Sequence, residues 1–102
     1  ALRLLQSSKS LGPNRVDTLY HLGIAYMSIK EWGSAQTEFR TALSLNPDNA
    51  DIYDKLGILF ARKEKWEKAR KAFKSALNLS PSHQSARTNL KRLENKIKTN
   101  RQ

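Results

Sequence analysis

Most of this chain repeats itself every thirty-four residues. The stretch Leu19-Tyr20-His21-Leu22-Gly23-Ile24-Ala25-Tyr26 returns as Tyr53-Asp54-Lys55-Leu56-Gly57-Ile58-Leu59-Phe60. At the same offset Trp32, Ala35 and Phe39 return as Trp66, Ala69 and Phe73. Ala42, Leu43, Leu45 and Pro47 likewise return as Ala76, Leu77, Leu79 and Pro81. Laid on 50–83 without a gap, residues 16–49 match at eleven of thirty-four positions. A period of this length implies stacked supersecondary units, each burying apolar surface on its neighbours. The 102 residues, at most one ordinary domain, therefore need no large central core.

Within the first period, Leu19, Leu22, Gly23, Tyr26 and Ile29 recur at spacings of three and four, which predicts a helix over 16–29 with one apolar stripe. A glycine inside a helix costs about 1 kcal/mol against alanine. The return of Gly23 as Gly57 points to another helix passing too close for a side chain. A second helix is predicted near 33–46, with Ala35, Phe39, Ala42, Leu43 and Leu45 on its inner face. Asn46-Pro47-Asp48-Asn49 stops it, since proline lacks an amide hydrogen, and Asp48 or Asn49 can cap the next helix.

The next period predicts helices near 50–63 and 67–80, with Trp32 and Trp66 as packing residues in the turns between paired helices. In a last helix over 84–98, Ala86, Leu90, Leu93 and Ile97 form a narrow stripe. Arg87, Lys91 and Glu94 replace the counterparts of Tyr53, Gly57 and Phe60, giving the polar outer face that a terminal cap requires. Residues 99–102 are expected to fray. Residues 1–15 align one period upstream, Pro13 with Pro47 and Leu11 with Leu45, and read as the second helix of a truncated preceding repeat. Leu2, Leu4 and Leu5 then lack the helix they would pack on, which suggests self-association through this edge.

The shared pattern resembles the tetratricopeptide repeat, whose period is also 34. Leu22, Gly23, Tyr26, Ala35, Phe39, Ala42 and Pro47 carry the resemblance in the first copy. Leu56, Gly57, Phe60, Ala69, Phe73, Ala76 and Pro81 carry it in the second. Leu19 and Tyr53 stand where the family often has tryptophan, and Lys30 and Glu64 replace a frequent glycine.

The resemblance implies an all-α fold of antiparallel helix pairs, stacked into a right-handed superhelix with a C-terminal capping helix. It further implies a noncatalytic scaffold or adaptor that binds a peptide or partner helix in a concave groove. Mapped onto this sequence, that groove presents Asp17, Tyr20, His21, Ile24 and Met27 from the first repeat. The second repeat adds Asp54, Lys55, Ile58 and Arg62, and the cap adds Asn89 and Arg92. The subclass that grips acidic chaperone tails uses lysine, asparagine and arginine at set places. Those places here hold Tyr20, Ile24, Lys55, Ser85 and Asn89, so that clamp is absent from these residues.

The formal charge of +10 is uneven: repeat 16–49 carries −2, repeat 50–83 carries +4 and the tail 84–102 carries +5. The run Arg62-Lys63-Glu64-Lys65-Trp66-Glu67-Lys68-Ala69-Arg70-Lys71-Ala72-Phe73-Lys74 admits three readings: a solvated face, a surface for an acidic protein, or electrostatic binding of nucleic acid or anionic membrane. Glu64 and Glu67 interleave with the cations and no nucleic-acid motif accompanies them, which favours the solvated face. With no cysteine, no glycine-rich phosphate loop and two distant histidines, His21 and His83, the chain shows no catalytic, metal or cofactor constellation. It contains no apolar run long enough for a membrane span. The expected setting is cytoplasmic, within a longer protein, since the sequence starts at Ala1 without methionine.

Overall fold

The computed structural model describes residues 15–101. The predicted half-repeat at the N-terminus, and the self-association edge at Leu2, Leu4 and Leu5, lie outside the described residues. Five helices and no strand are present among the described residues. They are α1 (Arg15–Ser28), α2 (Trp32–Leu45), α3 (Ala50–Arg62), α4 (Trp66–Leu79) and α5 (Gln84–Arg101). The all-α prediction holds. None of the helices is long and apolar enough to cross a membrane.

The chain divides into two compact units at Asp48 and Asn49. In the first, α1 packs on α2 and buries Leu19, Leu22, Gly23, Ala35, Phe39 and Ala42. In the second, α3 packs on α4, and α5 packs on α4 and more lightly on α3. Ile52, Leu56, Leu59, Ala69, Ala72, Phe73, Ala76, Ala86 and Leu93 are its buried apolar residues. Leu90 and Ile97 of α5, and Trp66 of α4, close over the Ala69, Phe73 and Leu93 cluster. Arg87, Lys91 and Glu94 on the other side of α5 are exposed.

The two repeated glycines have one physical cause. A Cβ built on Gly23 would lie 2.6 Å from Cζ of Phe39, and one on Gly57 would lie 2.7 Å from Cζ of Phe73. Both phenylalanines are buried to within 1% and so cannot turn aside. What approaches each glycine is a ring from the paired helix, and burying such a ring contributes about 1.5–3 kcal/mol. That gain outweighs the roughly 1 kcal/mol of helix propensity that glycine forfeits.

The turns within the pairs repeat as well. Lys30 N–H donates to the Met27 carbonyl at 3.0 Å and Glu31 N–H to that of Tyr26 at 2.9 Å. Glu64 N–H and Lys65 N–H donate in the same way to Ala61 and Phe60, at 3.0 and 2.9 Å. This double closure requires a left-handed residue after the helix. Lys30 and Glu64 adopt φ of 63° and 62° there. The family's glycine preference at this place thus has a backbone reason that this chain overrides at both copies.

Three sequence expectations are corrected. Ile29 leaves the α1 stripe and is 61% exposed, because the helix ends at Ser28 and the tight turn carries Ile29 outward. Leu45, placed on the inner face of α2, is 45% exposed at the last residue of that helix. Trp32 and Trp66 are the first helical residues of α2 and α4 rather than turn residues. In addition, α5 runs on to Arg101, past the predicted end at 98.

Two consequences are measurable by urea denaturation. Gly23→Ala and Gly57→Ala should each destabilise by about 1–3 kcal/mol through overpacking against the facing phenylalanine, despite the better helix former. Lys30→Gly and Glu64→Gly should each stabilise by about 0.5–1 kcal/mol by relieving the left-handed backbone.

Candidate functional site

Helix α1 begins with Asp17 in its first turn and sends one face into unit 1 through Thr18, Leu19, Leu22 and Gly23. Between those packing positions Tyr20, His21 and Met27 differ from their copies one period later, whereas Asp17 and Ile24 return as Asp51 and Ile58. Asp17 and His21 are exposed and pair across one helical turn, Nε2 to Oδ1 at 3.4 Å. Tyr20, half-buried, meets the His21 ring edge-on at 5.5 Å and tilts toward the Phe39 ring at 6.2 Å. Ile24 and Met27 are half-buried on the following turns. The first five groove candidates thus occupy one side of α1, with the apolar members partly open to solvent.

In unit 2 the candidates separate. Ile58 is half-buried and rests on the Ala69, Phe73 and Leu93 cluster, so it has a packing role beside any binding role. Lys55 is half-buried and Arg92 exposed. Arg62, the last residue of α3, lines an open cavity of about 480 Å³ with Ala61, Glu64, Trp66 and Lys96.

Asp54 and Asn89 turn out to be engaged with each other. Asp54 is only 2% exposed, and its carboxylate accepts from Ser85 Oγ at 2.7 Å and from Asn89 Nδ2 at 3.0 Å. The resemblance places both residues on a binding surface; in the structure they bind α3 to α5. The reason is the arrival of α5, whose first turns cover Asp54 and supply the donors that a buried carboxylate needs.

His83 completes this contact in a way the sequence did not suggest. It stands one period after Asn49, whose side chain caps α3 by accepting from Ile52 N–H at 3.2 Å. His83 Nδ1 does the same for α5, accepting from Ala86 N–H at 3.1 Å. With Nδ1 an acceptor, the ring proton sits on Nε2, which donates to Asp51 Oδ1 at 2.6 Å. Asp51 and Asp54, one helical turn apart on α3, therefore hold the start of α5 at two points. The repeat register alone could have revealed the cap, because capping positions recur with the period.

Among the described residues, no group of three or more His, Asp or Glu side chains could hold a metal ion. The polar contacts His83–Asp51, Ser85–Asp54 and Asn89–Asp54 all join α5 to α3. Replacing Asp54 with alanine should cost about 1–3 kcal/mol and raise amide exchange along α5 while leaving α1 and α2 unchanged. Exchange measured by mass spectrometry checks this, with His83→Ala expected to show about 1 kcal/mol through its lost cap.

A family profile described as TPR repeat matches residues 25–64, and one described as tetratricopeptide repeat matches 50–83. Together they span more than half of the chain. Among curated proteins, none matches the sequence. The first TPR domain of the human RPAP3 protein superposes with a TM-score of 0.86 at 20% identity, over 97% of this chain and 78% of that one. The first TPR of Spaghetti (RPAP3), bound to the HSP90 peptide SRMEEVD, gives 0.83 at 20% identity, over 94% and 76%. The APC/C hetero-tetramer Cut9-Hcn1 gives 0.74 at 24% identity over 76% of this chain, which spans only 15% of the chain it matches. At these identities the likeness is one of fold. With two adjoining repeats of the family's length, matched by its profiles and folded as its helix pairs, this chain belongs to the tetratricopeptide repeat family.

Proposed function

We propose that this chain is a noncatalytic protein-interaction module that holds a peptide or partner helix against the first helix of each repeat. The observation that carries this reading is the division of labour on α1. Thr18, Leu19, Leu22 and Gly23 are buried, while Tyr20, Ile24 and Met27 are half-buried beside the exposed polar groups Asp17 and His21. Apolar anchors beside polar neighbours suit recognition of an amphipathic segment, because burial supplies energy and the polar groups supply register. On α3, Lys55, Ile58 and Arg62 offer a similar but more basic set.

Solved structures of the same fold support the class of function. One contains an HSP90 peptide, another the HSP70 peptide SGPTIEEVD, and a third a subunit assembly. A different peptide chemistry is proposed for this chain, since the residues of the chaperone-tail clamp are absent here. Polyanion binding is the weaker reading. Lys65, Lys68 and Lys71 project into solvent with Glu64 and Glu67 among them, as a solvated face would.

A displayed peptide library should yield binders of this chain enriched in amphipathic segments. Ile24→Ala combined with Met27→Ala should weaken the selected peptides by about tenfold or more, as expected when two apolar anchors are truncated. Gln36→Ala with Thr37→Ala, on α2, should leave binding intact. Equal losses in both variants, at unchanged helicity, would remove the first-helix face from the proposal.

A further inference from the structure

The open cavity in unit 2 lies where α3 ends, α4 begins and α5 passes. Arg62 from α3 and Lys96 from α5 are exposed, and neither has a side-chain hydrogen bond or ion pair among the described residues. Trp66 shares the lining with them, half-buried and packed on the Ala69, Phe73 and Leu93 cluster. A half-buried indole that shares a concavity of about 480 Å³ with two unpaired cations suits an apolar side chain accompanied by carboxylates. The surrounding field has the same sign, +4 over residues 50–83 and +5 over 84–102.

From this arrangement we infer that the cavity is a second docking site, for an acidic segment of a partner protein that inserts an apolar side chain against Trp66. Glu64, also in the lining, selects among anions. A phosphodiester strand carries a charge at every nucleotide and must set one of them against that carboxylate. A peptide can place carboxylates at Arg62 and Lys96 and leave an uncharged residue opposite Glu64. The site lies wholly within unit 2 and shares only Arg62 with the residues proposed for the first-helix face.

Trp66 is also the reporter. In a Trp32→Phe background it is the sole tryptophan, since the chain has two. The probe is acetyl-Glu-Glu-Leu-Glu-Glu-amide, which has no chain-terminal charge. Titration should shift the Trp66 emission to the blue, saturably, as leucine displaces water from the indole. An unmoved spectrum overturns the proposal. Arg62→Glu with Lys96→Glu should weaken binding about tenfold or more, whereas Lys71→Glu with Lys74→Glu, an equal change of charge at exposed α4 positions, should alter it less than about twofold. Equal weakening by both pairs overturns it, leaving only a diffuse field. If the first pair unfolds the chain, as judged by helicity, Lys96→Glu alone provides the comparison. Ten-residue oligouridylate or phosphatidylserine vesicles that shift Trp66 at lower concentration than the peptide would overturn the choice of occupant. Ile24→Ala with Met27→Ala should leave this titration unchanged, so failure here and failure of the first-helix face are separately visible.

Discussion

In each repeat a phenylalanine ring from the second helix lies against a glycine of the first, Phe39 on Gly23 and Phe73 on Gly57, closer than any Cβ would permit. The rest of each pair depends on that contact. It sets a close distance between the helices, and the small residues Ala35, Ala42, Ala69 and Ala76 are fully buried beside it. It also requires the connecting turn to be short, which the closure through Lys30 and Glu64 provides at the expense of left-handed backbone. Two glycines that would weaken isolated helices are therefore the residues on which the packing depends.

Because these few positions settle the packing, the residues between them are free to differ, and the two units use that freedom differently. On α1 it leaves a partly open apolar strip with a surface Asp17–His21 pair. On α3 the corresponding side is drawn into contact with α5 through Asp51 and Asp54. A buried carboxylate is tolerated only when donors reach it, and Ser85 and Asn89 do so from successive turns of the last helix. The same stretch of the repeat is thus partly open to solvent in one copy and serves internal cohesion in the other.

The acquisition of a cap by His83 obeys the same logic. A helix start needs one side-chain acceptor for its third amide; Asn49 supplies an oxygen and His83 a ring nitrogen. Imidazole has a second nitrogen, and it reaches across to Asp51. A change of residue type at one repeat position therefore adds a link between helices without giving up the local role.

How much was legible in advance depended on whether a residue acts through the period or through what happens to lie near it. The repeat, the helix pairs, the turns and the buried set around Leu22, Phe39, Leu56 and Phe73 could be read because equivalent residues meet equivalent surroundings. Most helix ends were off by about a residue, α5 ran on from the predicted 98 to Arg101, and Ile29 and Leu45 were misjudged, since periodicity does not say where a turn carries the chain away from the core. The burial of Asp54, the pairing of His83 with Asp51 and the cavity at Trp66 were decided by the approach of α5, separated by some thirty residues from the groups it meets on α3. By itself the sequence determined the repeating scaffold, because close helix packing tolerates so few residue types. Only the tertiary structure decided which side chains between those positions remain available to a partner, because exposure depends on what packs alongside.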